Sequence, residues 1–149
     1  MKTIELIKTL RAETSASVAL CNKALLESKN DIKKARELLK AWGVEKAQKK
    51  QGTETADGVV ESYIHHNKRM GALLTLHCQT DFVAKNEEFR SLAREIAMQI
   101  ASMAPKTSEE LLKQAYIRDS KKTIEALIQE SIAKLGENIR IGDFVRFEI

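Results

Sequence analysis

The chain has 149 residues and a formal net charge of +4, with 43% apolar and only 5% aromatic residues. This apolar content is sufficient for a packed core and excludes a chain that is disordered throughout. The scarcity of aromatic rings disfavours a single-stranded nucleic-acid platform built from stacked bases. No apolar run approaches the roughly 18 residues of a transmembrane helix, and the first residues lack the apolar segment of a secretory signal.

Residues 1–43 are predicted to form three short amphipathic helices. The turn at residues 14–17 has N-cap chemistry, Asn30-Asp31 separates the second helix from the third, and Gly43 is expected to end the third. Three helices of this length make a bundle near the lower size limit for independent folding. The apolar positions that recur at helical spacing are Ile4, Ile7 and Leu10, then Val18, Cys21, Ala24 and Leu25, then Ile32, Ala35, Leu38 and Leu39.

Residues 44–57 are expected to connect two domains, because they are charged up to Lys50 and have turn composition after it. Residues 1–52 carry 12 Lys or Arg against 6 Asp or Glu, whereas residues 53–149 carry 13 against 15. This asymmetry supports two modules. The basic module is compatible with two partners, a nucleic acid or an acidic protein face.

Residues 58–149 predict an α+β domain. Residues 59–65 and 72–78 are predicted to pair as a hairpin. A long helix from Asn86 to about Met103, a short helix after Pro105 and a helix that Gly136 ends should pack on the sheet. The last strand should complete a three-stranded antiparallel sheet, with one parity shared by Ile139, Ile141, Val145, Phe147 and Ile149, which only Asp143 interrupts. The short helix is expected to include Leu111, Leu112 and Ala115.

The segment from Gln79 to Asn86 connects the second strand to the long helix, and such connections frequently carry function. In one interpretation, Thr80 and Asp81 cap free backbone N–H groups while Phe82 and Val83 close the core. In the other, Asp81 and Phe82 point outward, since an aromatic ring on a rigid turn is a typical interface anchor.

The sequence predicts no catalysis, no cofactor and no metal site. His65, His66 and His77 are the only histidines, and none belongs to a cluster at metal-ligand spacing. No nucleotide-binding loop, nucleophile elbow or catalytic triad is present in the sequence. Cys21 and Cys78 each lie within an apolar pattern, and reduced buried thiols indicate a cytoplasmic protein.

The segment Cys78-Gln79-Thr80-Asp81-Phe82-Val83-Ala84-Lys85-Asn86, followed by Phe89, resembles the signature of bacterial elongation factor Ts. Two further segments resemble the same family. They are Ile7-Lys8-Thr9-Leu10-Arg11 with Glu13-Thr14, Cys21, Lys23-Ala24-Leu25, Asp31-Ile32 and Ala35, and Ile132-Ala133-Lys134-Leu135-Gly136-Glu137-Asn138-Ile139 with Phe144, Arg146 and Phe147.

The resemblance implies a ubiquitin-associated-like three-helix domain at residues 1–43, a connector at 44–57 and a dimerisation core at 58–149. It implies a guanine-nucleotide exchange factor, not an enzyme, that promotes release of GDP and Mg²⁺ from the GTPase elongation factor Tu. A homodimer is expected from the short members of the family. The residues implied beside the nucleotide pocket of the GTPase are Thr80, Asp81, Phe82 and Val83, and those implied to grip one of its helices are Arg11, Val18 and Ala19.

The chain departs from the family pattern at the first turn and in length. The usual Thr-Gly-Ala-Gly is replaced by Thr14-Ser15-Ala16-Ser17, and the usual methionine pair by Val18-Ala19. The segment between Pro105 and the last helix is shorter than in relatives. Two other functions stay open from the residues alone: a ubiquitin-associated-like module for a different helix or peptide, and a basic nucleic-acid adaptor.

Overall fold

The N-terminal helices enclose a small apolar core. The computed structural model describes residues 2–149 and divides into two units, the first ending at Lys49 and the second beginning at Lys50. In the first unit, α1 (Thr3–Thr14), α2 (Val18–Glu27) and α3 (Ile32–Lys50) follow the predicted periodicity. Their buried side chains are Leu6, Leu10, Cys21, Ala24, Leu25, Ala35 and Leu39.

The expectation that Gly43 ends the third helix is wrong. Helix α3 continues through Gly43 to Lys50, so the first half of the expected connector is helical. A glycine inside a helix costs only about 1 kcal/mol, and the residues after Gly43 are mostly good helix formers. The positive φ of 88° that commonly follows a helix belongs to Gly52 instead.

The second unit is built on a three-stranded antiparallel sheet with the strand order β1-β2-β5. Strand β1 (Asp57–Ile64) and strand β2 (Met70–Cys78) form the predicted hairpin, and β5 (Arg140–Glu148) pairs with the other edge of β2. Leu74, Leu76 and Cys78 are buried on one face, as the alternation predicts. The predicted α+β class is confirmed.

The remaining helices are α4 (Asp81–Ala84), α5 (Glu87–Met103), α6 (Ser108–Lys113) and α7 (Ile124–Leu135). Helix α5 packs against β1 and β2, and α7 packs against α5 and α6. Gly136 ends α7 with a φ of 77°, as predicted. The apolar stripe of α5 is fully buried at Phe89, Ala93, Ile96, Ala97 and Ile100.

A short hairpin, β3 (Ala115–Tyr116) and β4 (Asp119–Thr123), was not predicted. Ala115 lies in this hairpin, so its expected place in a helix is wrong. The segment has no alternating apolar pattern. Its position depends on contacts distant in sequence, since the amide of Gln99 donates to the carbonyl oxygen of Ala115 at 3.0 Å.

The single parity expected for the last strand is also wrong, because β5 contains a bulge. Ile141 lies opposite Leu76, but Phe144 lies opposite Leu74, so β5 has one extra residue in this interval. A bulge of this kind moves the following side chains to the other face of the sheet. Val145 and Phe147 therefore lie on the face opposite the helices.

The face of the sheet that the helices do not cover carries several exposed apolar side chains. We call this surface the open sheet face. All its apolar members share a side according to the strand register. They are Val60, Ile64, Leu73, Val145 and Phe147, each classed as exposed.

Candidate functional site

Residues 80–83, which we call the tip, follow β2 and comprise the N-cap and the first three residues of α4. Thr80 has an extended backbone and serves as the N-cap of α4, because its Oγ1 accepts the N–H of Val83 at 3.4 Å. Ala84 at the other end of this turn is buried. Helix α4 packs against β1 and β2, so the turn is attached to the sheet at its base.

Phe82 projects from the tip with 84% of its surface exposed. An exposed phenylalanine of this degree contributes nothing to the core. Asn86 caps α5 by accepting the N–H of Glu88 at 2.8 Å. Of the two residues that the first interpretation offered as caps, Thr80 has this role, and Phe82 does not close the core.

Asp81 is the first residue of α4 and is exposed. Its carboxylate lies 3.5 Å from the ammonium group of Lys85, one turn later. Exposed ion pairs at this spacing are worth only about 0.3–0.5 kcal/mol, so this contact does not hold the carboxylate in place. Asp81 and Phe82 are thus both accessible, while Val83 is half-buried at the base of the turn.

A carboxylate from a distant part of the chain holds the start of the tip. Oε1 of Glu137 accepts the backbone N–H groups of Gln79 and Thr80, both at 3.0 Å. Oε2 of Glu137 accepts the hydroxyl of Thr80 at 2.7 Å. We call these three hydrogen bonds the Glu137 clamp. Sequence reasoning missed this role, because Glu137 and Thr80 are separated by 57 positions in the chain and meet only in the folded protein.

Cys78, which precedes the tip, is an unreactive thiol. Its burial raises the pKa of the thiol to about 11, and the negative charges of Glu137 and Asp57 act in the same direction. Cys78 is therefore protonated at neutral pH, and its Sγ–H donates to the carbonyl oxygen of Thr80 at 3.2 Å. The thiol contributes to the shape of the junction and not to chemistry.

The other predicted residues lie in the first unit. Arg11 and Val18 line one shallow surface depression together with Ile4, Ile7 and Lys8. Ala19 is exposed on α2 next to Val18 but does not line this depression. The structure thus brings two of the three predicted residues to one surface.

The altered turn between α1 and α2 assigns different tasks to its two serines. Ser15 ends α1 in the left-handed conformation, with a φ of 56°. Ser17 has a φ of −64° and caps α2, its hydroxyl accepting the N–H of Leu20 at 3.2 Å. Only Ser15 therefore occupies a conformation that favours glycine.

Comparisons with known proteins show which family this chain resembles. A family model described as elongation factor TS matches residues 79–149. A protein named Elongation factor Ts from Thermosipho melanesiensis is 36% identical over 194 residues, covering all of this chain and 99% of the relative.

The chain belongs to the elongation factor Ts family. Its role therefore lies in the elongation stage of protein synthesis. An elongation factor Ts from Thermotoga neapolitana is 37% identical over 98% of this chain and 96% of the relative. An elongation factor Ts from Aquifex aeolicus is 41% identical over 97% of this chain but only 52% of its own length.

The family comparison also measures how short this member is. The alignment with the Thermosipho elongation factor Ts spans 194 residues and this chain has 149, so about 45 positions of the relative have no counterpart here. The region matched by the family model contains both the tip and Glu137.

Among residues 2–149, no helix is both long and apolar enough to cross a membrane. Within the same range, no group of three or more His, Cys, Asp or Glu side chains is arranged to hold a metal ion.

Proposed function

We propose that this elongation factor Ts family member promotes the release of GDP and Mg²⁺ from the GTPase elongation factor Tu. The observation that carries the proposal is Phe82, which is 84% exposed on a one-turn helix that packs against the sheet. An accessible aromatic ring on a fixed support loses little conformational freedom on binding, which is the property of an interface anchor.

The proposed mechanism is thermodynamic coupling and involves no covalent step. If the factor binds the nucleotide-free GTPase most tightly, then the bound factor weakens nucleotide binding by the same ratio. Each tenfold weakening requires about 1.4 kcal/mol of differential contact energy. Contacts that form only in the nucleotide-free GTPase supply this energy.

The tip is the proposed source of that differential contact. Phe82 inserts into an apolar gap beside the nucleotide pocket, and Asp81 brings a negative charge to the same place. Thr80 and Val83 form the support of the two side chains. Mg²⁺ requires near-ideal octahedral coordination at about 2.1 Å, so a small displacement of its ligands strongly weakens Mg²⁺ binding.

The first unit is proposed to add affinity for the GTPase and to orient the factor on it. Arg11 and Val18 share a surface depression with apolar walls, which fits one face of an amphipathic helix. Ala19 lies beside them on α2 and contributes a smaller contact than the methionine usual in the family. This unit would bind the GTPase equally in all its states, so it lowers the concentration needed without changing the maximal release rate.

We also propose that two copies of the chain associate through the open sheet face. A three-stranded sheet with an apolar uncovered face has one thin core and two free edges. Phe147, which is 72% exposed, lies near the end of β5 on that face. A second copy supplies a matching apolar surface, as in other two-fold interfaces.

The proposal is tested by the release of labelled GDP from purified elongation factor Tu in stopped flow. Phe82→Ala should lower the stimulated rate roughly thirtyfold or more, since a buried aromatic anchor contributes about 2 kcal/mol or more. Asp81→Ala should lower it less. Ile117→Ala, which truncates an exposed apolar side chain in the β3–β4 hairpin, is the matched control and should leave the rate unchanged.

Release rates for Phe82→Ala and Asp81→Ala equal to that of Ile117→Ala would reject the role assigned to the tip. A wild-type chain that does not accelerate GDP release at all would reject the exchange function itself.

A further inference from the structure

We propose that Glu137 is a positioning residue for the tip, which it holds in the geometry that presents Asp81 and Phe82 to a partner. The activity part of this inference rests on the proposed exchange function. The structural part does not, because it concerns the isolated chain. Glu137 itself is half-buried and bonded to Gln79 and Thr80, so its proposed role is to support the tip and not to contact the GTPase.

Backbone and side-chain donors both contribute to the Glu137 clamp. One carboxylate accepts three donors at 2.7–3.0 Å, two of them backbone N–H groups at the end of β2. Hydrogen bonds to an ionised acceptor are about twice as strong as neutral ones. The carboxylate thus determines where the chain leaves the sheet.

The hydroxyl of Thr80 takes part in two hydrogen bonds at once. It donates to Oε2 of Glu137 and accepts the N–H of Val83. The orientation set by Glu137 is therefore passed to the first turn of α4. Phe82 lies between Thr80 and Val83 in the chain, so the direction of its side chain follows from the positions of these two residues.

Helix α4 depends on the rest of the fold for its stability. Four residues form too short a helix to persist alone, since nucleating a single turn is unfavourable. The turn needs support from outside, and the clamp provides it at the N-terminal end. Reciprocal support comes from Asn138, whose backbone N–H donates to the side-chain oxygen of Gln79 at 2.6 Å.

The chain offers a matched control in Glu95. Its carboxylate also holds a distant segment in the second unit, accepting the hydroxyl of Tyr116 and the Nε of Arg118, both at 2.6 Å. These contacts fix the β3–β4 hairpin and none involves the tip. Glu95→Ala therefore removes a comparably bonded carboxylate from the same unit without touching the junction.

The first measurement is amide hydrogen exchange in the isolated full-length chain. Glu137→Ala should accelerate exchange at the N–H groups of Gln79, Thr80 and Val83, whereas Glu95→Ala should leave them protected as in the wild type. Unchanged protection of these three amides in Glu137→Ala would overturn the clamp, whatever the result with the GTPase.

The second measurement is the maximal rate of GDP release at saturating factor. Glu137→Ala should lower this plateau about tenfold, because misplacement of a contact group by roughly 1 Å has effects of this size or larger. A partly unfolded variant would instead reach the wild-type plateau at a higher concentration, so the plateau separates positioning from loss of folded protein.

The third measurement is rescue by Glu137→Gln. The amide oxygen can still accept the two backbone N–H groups, and the amide nitrogen can donate to the Thr80 hydroxyl, so the plateau should stay within about threefold of the wild type. A plateau unaffected by Glu137→Ala would overturn the positioning role even if the amides become exposed. A wild-type chain inactive toward the GTPase would overturn that role together with the exchange function, and the exchange of the amides would still decide the clamp.

Discussion

Ser15 holds a backbone conformation that its side chain disfavours. Its φ of 56° and ψ of 15° lie in the left-handed region, which costs a residue with a side chain about 1–2 kcal/mol relative to the right-handed one. The residue ends α1, a position where glycine is favoured because it has no Cβ. The first unit therefore contains a small amount of backbone strain at a known place.

Ser15→Gly should raise the free energy of unfolding of the first unit by about 1 kcal/mol, since the relief of strain exceeds the extra freedom of glycine in the unfolded chain. Trp42 is the only tryptophan and packs against the core of this unit, so its fluorescence reports the unfolding. Chemical denaturation followed at this residue measures the change.

Ser17→Gly is the control for this experiment, because Ser17 has an ordinary φ and caps α2. Removing its hydroxyl should lower the free energy of unfolding by a few tenths of a kcal/mol. A decrease for Ser15→Gly as well would contradict the assignment of strain to Ser15.

Two phenylalanines seven positions apart show what the sequence could predict of the site. Phe89 belongs to the apolar stripe of α5, and its complete burial follows from helical spacing. Phe82 belongs to no stripe, so its direction stayed open between core closure and exposure. Exposure depends on where β2 ends and on the Glu137 clamp, which are products of the tertiary fold.

At the level of elements, the bulge in β5 depends on a glycine. A Cβ built on Gly142 would collide with the Thr75 hydroxyl and with the ring of His77 on the neighbouring strand. The Thr75 hydroxyl also accepts the N–H of Asp143 at 3.0 Å, which holds the bulge in register with β2. This hydrogen bond thus holds the bulge against β2 at a place where a side chain would clash.

Gly142→Ala should lower the free energy of unfolding of the second unit by about 1–3 kcal/mol, the usual cost of overpacking. Thermal or chemical denaturation followed by circular dichroism measures the loss. The double variant Thr75→Ala with Gly142→Ala removes one of the two obstructing groups and should recover part of it, beyond the effect of Thr75→Ala alone. A Gly142→Ala protein as stable as the wild type would show that the strand pair adjusts freely.

The elements that the sequence predicted correctly are those with strong periodic patterns and clear ends. The hairpin, α5 with its predicted bounds near Asn86 and Met103, and α7 with its Gly136 end belong to this group. The errors at Gly43 and in β5 have a common cause, because in both cases the surrounding residues determined the structure and the local sequence pattern did not. Helix-forming residues carried α3 past a glycine, and a bulge reversed the alternation of β5.

For the whole molecule, the open sheet face makes a prediction about assembly. The wild-type chain should be a dimer in light scattering at micromolar concentration. Phe147→Glu should weaken the association at least about tenfold, because it places a charge in an apolar interface. Leu26→Glu, which changes an equally exposed apolar residue on α2, should not alter the measured mass.

A wild-type mass equal to that of one chain at tens of micromolar would contradict the proposed association. A dimer that Phe147→Glu leaves intact would contradict the open sheet face as its contact surface.

The Glu137 clamp joins two parts of the chain that the ribosome makes at different times. Asp81 and Phe82 are synthesised before Glu137, and β5 follows later still. A nascent chain that has emerged only as far as α5 therefore carries both tip side chains on an unsecured junction. The tip takes its final form only once Glu137 has also left the exit tunnel, so the clamp delays the finished site until that point.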